Sequence, residues 1–208
     1  MIKNIIVSIA KCFGYVILFG VCQSFLLSAI PSDILLSTIF SSLIFICLVF
    51  VMARIFRWEF SERLGIRRIS IKSVLFIICL TLFINLVIQS VQLLFAEGMR
   101  NDMINSLESD FSNGKSIIGF LAIVIFAPMS EELLFRGLLF GELKKNINVY
   151  IAGLLQATLF GIIHGNIIWG MIAFLSAVFY AFLFERFNSI FAPLVGHMSV
   201  NLLAFILL

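Results

Sequence analysis

Seven stretches of this chain, near 10–30, 34–53, 73–96, 116–135, 149–165, 167–184 and 189–207, are apolar almost throughout. Each is close to the length of a helix that crosses a bilayer, since a hydrocarbon core about 30 Å thick takes about 20 residues in that form. No water is present there to bond a free amide, so strands with open edges are excluded and every such stretch is predicted to be helical. Of 208 residues 62% are hydrophobic and 12% charged, against about half and about a quarter in soluble domains. A soluble chain of this size has too little interior to hide so much Phe, Leu and Ile. The expected fold class is all-α, a polytopic transmembrane bundle of about seven helices, or eight if 137–148 also dips into the membrane.

The N-terminal run resembles a signal peptide at first sight. It continues to Ile30 with no convincing cleavage site, so it is read as a span. Cys12, Cys22, Cys47 and Cys79 all fall in apolar stretches without paired spacing, as small core or lipid-facing residues do, rather than as a disulfide frame or zinc knuckle.

Loop charge predicts orientation. Segment 54–72 holds Arg54, Arg57, Arg63, Arg67, Arg68 and Lys72 against Glu59 and Glu62, and such basic loops stay in the cytoplasm. Lys3 and Lys11 place the N-terminus on the same side, and Lys144 and Lys145 return the chain there. Segment 97–115 carries Glu97, Asp102, Glu108 and Asp110 against Arg100 and Lys115, and is expected outside. The basic loop sets orientation and touches anionic headgroups; it carries no nucleic-acid-binding signal.

The first three predicted helices hold almost nothing ionisable, whereas the later ones hold a small polar set. Glu131, Glu132 and Arg136 lie in FAPMSEELLFRGLLFG, His164 lies in ATLFGIIHG, and His197 and Asn201 lie in APLVGHMSVNL. One ionisable group at mid-depth costs about 2.5–3.5 kcal/mol on insertion scales, so several on separate helices are cheapest where they meet in the interior. Glu132 and Arg136 are four apart and share a face, as do His197 and Asn201. Glu131 points about 100° away from Glu132 and is left without that partner. Gly161 and Gly165 have the spacing that lets a neighbouring helix approach. Pro128 removes an N–H just before the carboxylates and so frees a carbonyl. Taken singly, each group has a plainer reading: a helix-end charge cluster reaching for headgroups, an interhelical histidine, an asparagine as glue.

Together the three segments resemble the CAAX protease and bacteriocin-processing family of intramembrane proteases, which includes the type II CAAX prenyl endopeptidases. That family's pattern is a double glutamate followed after three residues by arginine, then Phe-xxx-His, then His-xxx-Asn. It is matched here by Glu131–Arg136, Phe160–His164 and His197–Asn201. The resemblance covers roughly 116–207 and divides the chain into helices without a recognised motif, 1–115, and a catalytic helix bundle, 116–208. It implies that Glu131, assisted by His164, activates water, and that His197 and Asn201 hold the oxyanion. Glu132, Arg136 and Phe160 would be supporting residues. Amide hydrolysis needs such a base and such donors. No cofactor is expected to be required. The alternative is zinc held by Glu131, His164 and His197, although the HExxH helix of zinc proteases is absent.

The function expected is therefore an intramembrane endopeptidase in a bacterial plasma membrane, cleaving at or within the cytoplasmic side. Its substrate would be a peptide or membrane protein such as a pheromone or bacteriocin precursor. Two other readings use the same residues: a non-catalytic bacteriocin-immunity or scaffold protein, and a small transporter with a proton relay. The chain lacks the inverted repeat that transport would favour.

Overall fold

The computed structural model describes residues 2–30, 33–59, 62, 64–95, 117–165 and 167–207, with 91–95 described by backbone alone. Among these residues there are seven helical rods and no strand. They are α1 (Ile2–Ala29), α2 (Ile34–Ile55), α3 (Ile71–Phe95), α4 (Ile117–Leu143), α5 (Val149–Ile162), α6 (Ile167–Phe187) and α7 (Phe191–Leu207). Five are long and apolar enough to cross a membrane, and the chain is a multi-pass membrane protein. The 14 residues of α5 and 17 of α7 rise only about 21 and 26 Å, less than the hydrocarbon thickness.

Local chemistry fixes several ends. The Asp33 carboxylate accepts hydrogen bonds from the Leu35 and Leu36 amides at 3.0 Å and starts α2. Asn148 does the same for α5 through Tyr150 N, at 2.9 Å. Gly165, at φ +70°, closes the last turn after α5 in a conformation that glycine adopts without strain.

The apolar surface faces outward. On α1, Phe13, Ile17, Val21 and Phe25 form an exposed stripe at i, i+4 spacing, while Cys12, Tyr15, Cys22 and Leu26 are buried. Helix α1 packs on α2, α3 on α7 and α5 on α6, and both α1 and α2 also pack on α4. The α5–α6 pair closes tightly: a Cβ on Gly161 would lie 2.7 Å from the Gly170 carbonyl oxygen. Gly161 thus allows the close approach expected of it, whereas Gly165 has no heavy atom within 4 Å of its absent Cβ and serves the turn instead.

Helix α4 is the axis of the bundle. It runs unbroken past the expected end at 135 to Leu143, so 137–148 forms no separate eighth helix. Two of its stretches, Phe120–Phe126 and Leu133–Phe140, are wound as π-helix around the α-helical Ala127–Glu132. Every residue from 132 to 143 is buried, so this half of α4 is surrounded on all faces. Arg63, the acidic segment 97–115 and the expected charges on it lie outside the described residues.

Candidate active site

Arg136 is the residue around which the polar set assembles. Its Nη1 donates to Glu132 Oε1 at 3.0 Å, one helical turn away, and its Nη2 donates to the Ala177 carbonyl of α6 at 3.2 Å. The guanidinium lies 5.0 Å from the Phe160 ring centroid and 5.2 Å from that of Tyr180. A guanidinium is planar and weakly hydrated, so two aromatic faces and two acceptors suit it. Its side chain is 0% exposed and that of Glu132 1%. Such a pair is tolerable only with this level of bonding, because either charge alone would be stranded out of water.

Glu132 passes the connection on to α7. His197 Nδ1 lies 2.8 Å from the same Oε1 that accepts from Arg136. A carboxylate paired with arginine is an acceptor, so Nδ1 carries the hydrogen, and Nε2 is the nitrogen turned away from Glu132. That Nε2 faces Glu131, with Oε2 at 3.8 Å. The imidazole stacks on Tyr180 at 5.2 Å and 24°, and meets the Phe160 ring edge-on at 6.1 Å.

His164 comes to the same place from the end of α5. Its Nδ1 lies 2.6 Å from the Phe160 carbonyl four residues earlier. A carbonyl only accepts, so here too Nδ1 is the donor. The His164 ring packs against Phe160 at 4.7 Å, and Phe160 stands edge-on to Phe135 at 4.8 Å. Phe160 therefore contacts both imidazoles while covering Arg136. This gives a physical content to the Phe-xxx-His spacing.

Asn201 has a different neighbour. Its Nδ2 donates to the Ile123 carbonyl at 2.9 Å. In the π-wound stretch, Ala127 N–H reaches back five residues to Ala122 O. The next bond of that register would run from residue 128 to Ile123 O, and Pro128 has no N–H to give. Asn201 supplies the missing donor. One N–H of its amide is thus committed to the α4 backbone, and the other is left for a ligand.

The structure thus gathers Glu131, Glu132, Arg136, Phe160 and His197 with direct contacts. His164 joins them through Phe160, and Asn201 through Ile123. Sequence reasoning missed Tyr180 and Gln156. Gln156 Nε2 donates to Gly153 O at 2.9 Å and to Ala177 O at 3.1 Å, the latter being the carbonyl that Arg136 also uses. Both residues carry polar atoms in otherwise apolar helices, so the cost argument applied to the histidines also marks them. Among the described residues no three His, Cys, Asp or Glu side chains gather closely enough to hold one metal ion. Glu131 and His197 come within ion-pair reach, and His164 and His197 both pack against the Phe160 ring.

Comparison with known proteins agrees with the motif reading. Residues 113–203 match the family described as "Type II CAAX prenyl endopeptidase Rce1-like". "Putative membrane peptidase YdiL" of Bacillus subtilis (strain 168) is 32% identical over 77 residues, covering 37% of this chain and 32% of that protein. "UPF0177 protein YxdF" of Lactococcus lactis subsp. lactis (strain IL1403) is 30% identical over 112 residues, covering 50% of this chain and 61% of that protein. The matched stretch spans less than two thirds of either relative's length. No solved structure matches the chain significantly.

Proposed function

From residues 113–203, which carry the pattern of the Rce1-like endopeptidases, we propose that the chain is an intramembrane endopeptidase with Glu131 as its general base. The observation that carries this reading is the 3.8 Å between Glu131 Oε2 and His197 Nε2. Two such atoms can share one water, each about 2.8 Å from its oxygen, and so hold and orient a nucleophile. Glu131 takes a proton from that water as its oxygen attacks the scissile carbonyl carbon. When the C–N bond breaks, the proton goes to the departing amine. His164, packed against Phe160, assists Glu131.

The oxyanion needs donors. Asn201 has one N–H left for it, and His197 can donate from Nε2 only as the imidazolium, because its Nδ1 hydrogen is committed to Glu132. Glu132, Arg136 and Phe160 position these groups. The reaction is proposed to run without a metal. The substrate is proposed to be a membrane-associated or secreted peptide, and the setting a bacterial plasma membrane with the basic loops in the cytoplasm.

The test is cleavage of a quenched peptide library by the purified protein in detergent. Glu131→Gln and His164→Ala should each lower kcat by at least about 10²-fold, the usual contribution of a positioned acid or base. Cleavage that survives both substitutions overturns the assignment. Exhaustive chelation should leave the rate unchanged; a loss restored by zinc would favour the metal route. A protein that binds a membrane partner with Glu131→Gln as well as with Glu131 would instead be the scaffold, since that substitution keeps shape and removes only the base.

A further inference from the structure

We infer that the groove between the start of α3 and the end of α6 binds one anionic glycerophospholipid, its phosphate between Lys72 and Arg186 and an acyl chain along Phe76, Leu80 and Phe182. The inference goes beyond the protease reading and does not depend on it.

Contacts bring the two helix ends side by side. Ile190 N donates to Gly65 O at 2.8 Å, and Ser189 Oγ donates to Arg67 O, so the residues just before α3 are tied to those just after α6. Lys144 pairs with Glu185 at 2.6 Å and Lys11 with Glu142 at 2.9 Å, which adds the 143–148 turn and the first half of α1 to the same end of the bundle. That end is basic: Arg67, Arg68, Lys72, Lys145 and Arg186 lie there.

Between the two helices is a groove of about 400 Å³, within the size range of ligand sites. Its lining is ordered by polarity. Lys72, Phe76 and Leu80 follow at four-residue spacing along α3, as Arg186 and Phe182 do in reverse along α6, so each row runs from a cation at the basic end to apolar side chains deeper in. Phe76 and Phe182 lie about 6 Å below the cations along their helices, and Leu80 about 12 Å below. A phospholipid carries its groups in that order, charge first and hydrocarbon beneath.

The charges select the class. The groove is lined by two cations and no carboxylate. Glu185 adjoins Arg186 in sequence but is taken up by Lys144, and among the described residues neither Lys72 nor Arg186 makes an ion pair. The Arg186 guanidinium lies 5.9 Å from the ring centroid of Phe187, which lines the same groove. A phosphate diester can accept charge-assisted bonds from both cations. A zwitterionic headgroup would add an ammonium that meets no carboxylate there. A free phosphate would use the cations and leave the apolar rows unfilled. Basic pockets between membrane helices take anionic headgroups by this chemistry, whereas cations that merely reach toward the membrane surface need no chain-shaped row beneath them.

The test is native mass spectrometry of the purified, delipidated protein in detergent, titrated with phosphatidylglycerol or with phosphatidylethanolamine of the same acyl chains. Wild type should take up one phosphatidylglycerol about tenfold or more tightly than phosphatidylethanolamine. Lys72→Gln combined with Arg186→Gln should weaken phosphatidylglycerol binding by about tenfold or more and remove the preference. Arg54→Gln combined with Arg57→Gln, on α2 and outside the groove, should change neither. Equal losses in the two double variants, or equal binding of the two lipids by wild type, would mean unspecific headgroup contact and overturn the site. Leu80→Trp keeps both cations and fills the chain row, so it should weaken phosphatidylglycerol binding, and millimolar inorganic phosphate should not displace the lipid. Displacement by phosphate, or undiminished binding by Leu80→Trp, would show a site for phosphate without a chain and overturn the lipid assignment. The comparison of two lipids on wild type needs no variant, so it decides even where a substitution impairs folding, and no arm requires peptide cleavage.

Discussion

Arg136 keeps its charge with none of its side chain reaching the surface, and four helices meet on it directly or through Glu132. Removing it strands Glu132 without its main counter-charge, and uncompensated buried partners cost about 3–5 kcal/mol. Arg136→Ala should accordingly fail to fold, or melt far below wild type, in a thermal scan in detergent. Arg136→Lys keeps the charge yet cannot bond Glu132 and Ala177 at once or lie flat between Phe160 and Tyr180, so it should recover only part of that loss. A lysine variant with wild-type melting would show that charge alone, rather than shape, holds the site. At this scale the sequence was most legible. Ionisable groups are so costly in lipid that each one declares itself, and Glu131, Glu132, Arg136, His164 and His197 could be read directly. The cost argument tells that such residues must meet but not what packs against them, so the contact of Phe160 with both histidines needed coordinates.

Helix α4 shows how an element can be built around a defect. Pro128 takes away the hydrogen bond that the π register would send to Ile123 O, and Asn201 of α7 returns it at 2.9 Å. The two residues should therefore be energetically coupled although they do not face each other as a pair. Asn201→Ala alone leaves the half-buried Ile123 carbonyl without this bond and should cost about 1 kcal/mol, within the range measured for interhelical hydrogen bonds in membranes. In a Pro128→Ala background the backbone N–H reaches Ile123 itself, and Asn201→Ala should cost close to nothing. Reversible unfolding of the four proteins in detergent micelles gives the coupling from the double-mutant cycle; strict additivity would refute the compensation. The sequence announced a freed carbonyl near the carboxylates and an asparagine four residues from a histidine. It did not announce that one answers the other, because the π winding that sets the register leaves no mark in residue pattern or period.

Across the whole molecule, the run lengths marked out seven helices because lipid makes apolar length a physical necessity, and their ends shifted where charges at the membrane surface allowed helix to continue. Lys11 sits well inside α1, and Glu142 closes α4; the first was read only as an orientation signal and the second was not singled out, since a charge near a helix end has a cheap solvated alternative. In the structure they meet. Glu142 is buried, and accepts from Lys11 Nζ at 2.9 Å, Ser8 Oγ at 3.3 Å and Lys145 Nζ at 3.3 Å. This clamp fastens the motif-free α1 to the end of the motif-bearing α4, which gives the N-terminal helices a mechanical part in holding the bundle closed at its basic end. Glu142→Gln keeps the volume and removes the charge, and hydrogen bonds to charged groups are worth about 1.5–3 kcal/mol. It should lower the thermal midpoint in detergent. The loss should shrink as salt is raised, because the Lys11 and Lys145 side chains are about half exposed and already screened. Peptide cleavage at temperatures where the variant is folded should be unchanged, because the clamp lies about 17 Å along α4 from Glu131 with packed Leu and Phe between. A fall in kcat without a fall in stability would mean that the two ends of α4 are coupled, and that α1 tunes the site rather than bracing the bundle.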